Sequence, residues 1–265
     1  MNKLNDAIVN LKVEKNQIAF YFFGGSTIAI KNHEGTILYV DPCFSNSANE
    51  ILSPLDYIKT DWKRLIEIPI EPEDVTADLV VCTHDHLDHY DVYTIPGIDK
   101  QSKPIFIGPS SCHYKLREQK IDEKRIVVLN PGNKKVVKGY EIEAFAADHT
   151  PDCIGFVLTY DGIRSCIIPE AKYSDTLKDR IISLKPIDLL FIGANEKYGA
   201  VTPEEAAGIV CGLEPNIAIP VHYGLYAETH LDPQTFIDAV KETCGEKNIK
   251  TKILNFKEPP FIYKK

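Results

Sequence analysis

The sequence has no apolar run of about eighteen residues, so it offers no membrane-spanning helix. It has no Gly-rich phosphate loop. It has no surplus of positive charge: 30 Lys and Arg stand against 38 Asp and Glu, for a formal net charge of −8 and a pI near 5.5. Nucleic acids and anionic membranes both need a basic face, so neither is an expected partner. It has no Cys-x-x-Cys spacing. The seven cysteines, at 43, 82, 112, 153, 166, 211 and 244, are scattered and odd in number. Several fall inside apolar strands, and all seven read as reduced core thiols of a cytoplasmic protein. Met1-Asn2-Lys3-Leu4-Asn5-Asp6 has no apolar core, so no secretory leader is expected. Repeats, low-complexity tracts and linkers are also missing. What remains is 265 residues, 44% hydrophobic and 26% charged, which suits one large α/β domain over residues 1–265.

Against that background one stretch stands out: Thr83-His84-Asp85-His86-Leu87-Asp88-His89. It follows the apolar run Ala77-Asp78-Leu79-Val80-Val81-Cys82, which reads as a buried strand. If the chain stays extended past that strand, His84 and His86 project to one side, because side chains repeat every two residues. Asp88 and His89 follow one turn later, where the chain is expected to bend into a helix. Imidazole nitrogen and carboxylate oxygen suit zinc, iron or manganese. One loop could thus feed two adjacent metal ions.

The rest of the chain alternates strands and helices. A short amphipathic helix is expected over residues 3–13. Strands follow over 18–30, broken by Gly24-Gly25, and over 37–40, ending at Asp41-Pro42. Residues 44–75, which hold the single Trp62, break the pattern and read as an excursion over the domain that could serve as a lid. Strands are expected over 104–108, 125–129 and 136–145, and a helix opening at 109–111 with a serine cap. A hairpin turns at Asp161-Gly162. Strands over 187–192 and 217–221 flank a helix opened by Thr202-Pro203-Glu204-Glu205, and Asp232-Pro233 opens the last helix. Residues 252–256 read as a closing strand. Four strands end in a candidate ligand: His84, His149, Glu170 and His222. Loops at the carboxyl ends of strands are where α/β proteins build sites. Tyr173, Asn195, Glu196, Tyr198 and Tyr223 lie in loops at that end and are candidates to touch substrate, Asn195, Glu196 and Tyr223 foremost. Lys172 and Lys197 are the available cations.

His84-x-His86-x-Asp88-His89 resembles the signature loop of the metallo-β-lactamase-fold hydrolases. The resemblance implies an αββα sandwich of two mixed β-sheets flanked by helices. It implies that His149 joins His84 and His86 at a first metal, that His222 joins Asp88 and His89 at a second, and that Asp41 supports the ligand loop. Glu170 stands where that superfamily has a bridging aspartate, and Pro169-Glu170 replaces its usual Gly-Asp. Phe-Phe-Gly-Gly-Ser-Thr-Ile-Ala-Ile at 22–30, Asp41-Pro42 and Phe-Ile-Gly-Pro-Ser-Ser at 106–111 look like the L-ascorbate 6-phosphate lactonase branch. Val-x-x-Gly-Tyr-Glu-Ile-Glu-Ala, which begins at Val136-Val137, fits the same branch. The implied cofactor is one or two divalent ions, zinc or manganese. These would lower the pKa of a bound water, whose hydroxide attacks a small anionic metabolite such as a sugar-phosphate lactone, with Asp88 as ligand and anchor. A phosphodiesterase or nuclease of the same fold, and a non-enzymatic metal-binding protein with a drifted site, are the alternatives. A homo-oligomer is compatible with family habit.

Overall fold

The computed structural model describes residues 2–55, 60–195, 197, 200–247, 249–256 and 258–265. Helix α1 (Lys3–Asn10) leads into β1 (Gln17–Phe22), β2 (Ile28–Asn32) and β3 (Ile37–Val40). After α2 (Ser47–Leu52) come β4 (Leu79–Val81), α3 (Thr94–Ser102), β5 (Ile105–Gly108), α4 (Ser110–Glu118) and β6 (Ile126–Val128). The second half runs β7 (Lys134–Val137), β8 (Tyr140–Ala146), β9 (Ile154–Tyr160), β10 (Ile163–Ile168) and α5 (Asp175–Ile182). It continues with β11 (Leu189–Gly193), α6 (Pro203–Leu213), β12 (Ile217–Val221), α7 (Pro233–Cys244) and β13 (Lys250–Thr251). Strand β14 (Phe261–Lys264) then returns to the first sheet.

Two seven-stranded sheets result, ordered β14-β1-β2-β3-β4-β5-β6 and β13-β12-β11-β10-β9-β8-β7. Both are mixed, with β3 to β6 parallel in one and β10 to β13 parallel in the other. The period-two alternation of the strands decides the layers. Ile18, Phe20 and Phe22 of β1 point between the sheets, where they meet Ile142, Phe156, Phe191 and Ile219. Tyr21 and Phe23 point outward, into a cluster with Ile8 of α1, Ile95 of α3 and Leu116 of α4. On the other sheet Val157, Cys166, Leu190 and Ile192 point out against α5, α6 and α7. Each central strand is therefore buried on both faces, which is why the sequence shows continuous apolar runs rather than alternation. The layers are α, β, β, α, as the resemblance implied.

Several expectations need correction. Asp88 and His89 lie in a turn; the helix begins only at Thr94. No serine side chain caps α4. Asn130 and Asp152 instead accept from the backbone and hydroxyls of Ser110 and Ser111. The closing strand is Phe261–Lys264, antiparallel to β1, not 252–256. The reason is that β13 pairs with β12 for two residues only, after which the chain crosses the end of the sandwich and buries Leu254 in its core. Cys211 and Cys244 face each other across α6 and α7, with Cα atoms 5.3 Å apart, and form a disulfide; the other five cysteines are free and buried. No helix among the described residues is long and apolar enough to cross a membrane.

Candidate metal centre

The site lies at the seam between the sheets, at the carboxyl ends of strands from both. Asp41 follows β3, and the residues from Thr83 to His89 follow β4. His149, Glu170, Asn195 and His222 follow β8, β10, β11 and β12. Backbone hydrogen bonds stitch the two halves together here. Ile154 N–H donates to Thr83 C=O (3.0 Å), His222 N–H to Gly25 C=O (2.7 Å), and Gly25 N–H to Tyr223 C=O (2.7 Å). Asp41 (φ 44°) and His222 (φ 68°) adopt the left-handed conformation. Side chains other than glycine seldom do so, and such strain gathers at functional sites. Gly193 permits the closest approach: a Cβ there would lie 1.9 Å from the carbonyl oxygen of Pro169, beside Glu170.

All seven residues expected as ligands are brought together. His84, His86, His149 and Glu170 offer ligand atoms within 4.8 Å of one another, and Asp88, His89 and His222 form a second such group. Glu170 belongs to both in distance. Its Oε2 lies 3.5 Å from His84 Nε2 and 3.2 Å from His149 Nε2. It also lies 3.3 Å from His89 Nε2 and 3.8 Å from His222 Nε2. Asp88 Oδ2 is 3.6 Å from His89 Nε2 and 3.5 Å from His222 Nε2.

The hydrogen bonds behind these rings set which nitrogen faces the centre. Asp41 Oδ2 lies 2.7 Å from His89 Nδ1 and can only accept from it, so His89 carries its proton there and turns a lone pair inward at Nε2. Thr83 donates both its N–H and its hydroxyl to Asp41, each at 2.7 Å. The Thr83 oxygen, its proton so engaged, can accept from His84 Nδ1 at 3.3 Å, which leaves His84 Nε2 as a lone pair too. That Nε2 is buried and has no hydrogen-bond partner among the described residues. A buried imidazole lone pair aimed at a carboxylate 3.5 Å away is a poor arrangement without a cation and a good one with it. The donor set is all nitrogen and oxygen, suited to zinc, manganese or iron. The residues therefore fit one or two divalent ions.

Charge follows the same pattern. Burial pushes the carboxyls of Glu170 and Asp88 up, but the surrounding histidines outweigh it and hold both below the usual carboxylate range. Burial, aided by neighbouring His89, lowers His84 well below its ordinary value, and burial lowers His149 as well. At His89 burial is overcome by the charges of Asp88 and Asp41 and by hydrogen bonds to Asp41 and Glu170, so positive charge is favoured at this position, a charge that an ion facing Nε2 would supply in place of a second ring proton. The cluster keeps its carboxylates ionised, which suits a cation at its centre.

The centre opens into a cleft of about 420 Å³, whose walls include His86, Asp88, His149 and Glu170 together with Leu52, Trp62 and Leu87. Asn195 and Tyr223, expected at substrate, are placed elsewhere. Asn195 is buried, its side-chain amide 3.2 Å from His222 Nδ1, where it holds the ring from behind. Tyr223 packs on Phe22 between the sheets, and its hydroxyl donates to Leu254 C=O. Glu196 and Tyr198 lie outside the described residues. Tyr173 packs against the helix-side core, and Lys197 pairs with Glu228 at 3.0 Å. The cation at the cleft is Lys115 of α4, which sequence reasoning missed; its helical position shows no pattern that would have marked it. Thr83 was also missed as a supporting residue, although its place between a strand and the first histidine was a usable signal.

Residues 19–222 match a family model described as "Beta-lactamase superfamily domain". A UPF0173 metal-dependent hydrolase of Lysinibacillus sphaericus is 24% identical over 233 residues, which is 84% of this chain and 92% of that protein. A UPF0173 metal-dependent hydrolase of Bacillus subtilis is 26% identical over 189 residues, 67% of this chain and 81% of that one. Among solved structures, a metallo hydrolase of Ignicoccus hospitalis superposes with a TM-score of 0.70 at 18% identity, covering 94% of this chain and 99% of its own.

Proposed function

We infer a function from one premise: the chain belongs to the β-lactamase superfamily domain family. The protein is a metal-dependent hydrolase that opens small esters or lactones. The observation that carries this reading is the place of Glu170, whose Oε2 lies 3.2 to 3.8 Å from four histidine Nε2 atoms, two from each ligand group. A carboxylate so shared could serve ions held by either ligand group. His84, His86 and His149 would hold one, Asp88, His89 and His222 the other, and zinc or manganese suits the donors. When bound, such ions lower the pKa of water and polarise the electrophile. The relatives' description as metal-dependent hydrolases agrees.

The chain's own residues do the rest. Asp41 and Thr83 fix the ring orientations of His89 and His84. Asp88, ionised and lining the cleft, would accept a hydrogen bond from the attacking water and so orient its oxygen toward the acyl carbon. Of the finer reading, a sugar-phosphate lactone, the lactone part suits this chemistry. The phosphate part finds less support, because Lys115 is the one cation lining the cleft among the described residues and it already sits 3.5 Å from Asp85.

The test is metal content per chain, with hydrolysis of a lactone and ester panel, for wild type and Glu170→Ala. Two ions in wild type, about one in the variant and lost hydrolysis are expected. Wild-type protein that takes up no ion would overturn the reading.

A further inference from the structure

The metal centre accounts for one side of the cleft and leaves the other unassigned. There, Leu52, Trp62 and Leu87 belong to a single hydrophobic cluster with Cys43, Ala48, Leu225 and Tyr226. We propose that this wall is a subsite for an alkyl or aryl substituent, and that Trp62 is its specificity-determining residue. The proposal rests on the hydrolase reading and names its substrate class: esters or lactones that carry an apolar substituent beside the scissile bond.

The wall is built before any substrate arrives. Trp62 meets Tyr226 edge to face, with ring centroids 5.6 Å apart. The Tyr226 hydroxyl contacts Cys43 Sγ at 3.2 Å, and the Arg64 guanidinium lies 5.7 Å from the Tyr226 ring. Arg64 also donates to the carbonyls of Cys43 (3.2 Å), Ser45 (2.9 Å) and Ile66 (3.4 Å). Leu65 N–H donates to Leu225 C=O and Ala227 N–H to Lys63 C=O, both at 2.9 Å, so the strip on either side of Arg64 is tied to residues 225–227. A preformed apolar wall costs little ordering on binding.

The lysine at the cleft is already engaged. Lys115 Nζ donates to Asp85 C=O, sits 3.5 Å from the Asp85 carboxylate and lies 5.5 Å from the centre of the Tyr90 ring. An anionic substituent would have to break that pair. An apolar one would displace water from Leu52, Trp62 and Leu87 at no such cost. Each methylene buried there should raise kcat/KM by about two- to fourfold.

The single tryptophan of the chain gives a readout independent of turnover. The first experiment titrates the metal-loaded full chain with sodium butyrate and sodium octanoate while recording tryptophan emission. Octanoate should shift it and butyrate should not. The second compares kcat/KM for γ-lactones bearing side chains from methyl to pentyl, in wild type, Trp62→Phe and Trp62→Ala. A rising series in wild type and Trp62→Phe, flattened in Trp62→Ala, is expected. Hydrolysis with no dependence on chain length in wild type overturns the subsite and leaves the hydrolase reading standing. An octanoate response without hydrolysis of any lactone or ester keeps the subsite and overturns the hydrolase. If Trp62→Ala does not fold, the wild-type titration still decides: emission unmoved by octanoate overturns the subsite.

Discussion

Asp41 is the residue on which both ligand groups depend, because it accepts from Thr83, which backs His84, and from His89 directly. Asp41→Asn keeps the shape but removes one acceptor. Metal affinity, measured by competition with a chelating dye, should fall about 10- to 100-fold, with the circular dichroism spectrum unchanged. The cysteines make a second residue-scale prediction. Burial pushes the thiols of Cys43, Cys82, Cys112, Cys153 and Cys166 far up, so a thiol reagent should label none of the five in the native protein. Unfolding without reductant should release five, and seven would mean that Cys211 and Cys244 are not joined. At this scale the sequence was legible where function is contiguous: His84, His86, Asp88 and His89 come from one turn-forming stretch whose spacing alone gathers them. It was not legible for Asn195 and Tyr223. Both follow strands that end at the site, but the direction a side chain takes after a strand depends on the turn, here set by Gly25 pairing with the backbone of His222 and Tyr223.

At the scale of elements, one buried carboxylate joins the ligand loop to the excursion. Asp91, just before α3, accepts from the backbone and hydroxyl of both Ser45 and Thr94, and from Tyr93 N–H. Asp91→Ala would strand several buried donors, and should cost about 3 kcal/mol or more in denaturant unfolding. Gly193 is the counterpart in the second sheet. A methyl there would push on the backbone carbonyl of Pro169, so Gly193→Ala should displace Glu170 and reduce metal stoichiometry even if the fold survives. Strong local signals made elements readable: the Thr202–Glu205 capping box and the Asp161-Gly162 turn fall where expected. Helix α5 had a signal that went unread, Ser174 as cap with Leu177 and Ile181 four apart on the buried side. Helix α3 had little, since it holds a proline and a glycine, and Gly97 is needed to let Pro72 pack against it. The short β13 and the late β14 depend on partners from distant chain, which local periodicity does not encode.

For the whole molecule, the two sheets meet at the candidate metal centre, so an ion held there would tie both halves of the sandwich together. Ligand that binds only the folded state stabilises it by mass action, about 2.7 kcal/mol at a hundredfold excess over Kd. At about 2–4 °C per kcal/mol for a chain of this size, that is a rise of about 5–10 °C in melting temperature. Chelation should lower the melting temperature of wild type by that order and that of Glu170→Ala by less, as read by scanning calorimetry. Strand β1 carries a separate consequence. It lies between β2 and β14, and its outer edge is closed only by Phe261–Lys264. On a ribosome β1 emerges early, while β14 appears after every other strand. Until β14 emerges the nascent chain carries an open backbone edge beside Phe20 and Phe22, able to pair with any passing extended segment. Completion of the first sheet thus waits on a strand that follows the others in the chain, and a chain cut before Phe261 should self-associate through that edge where the longer chain does not.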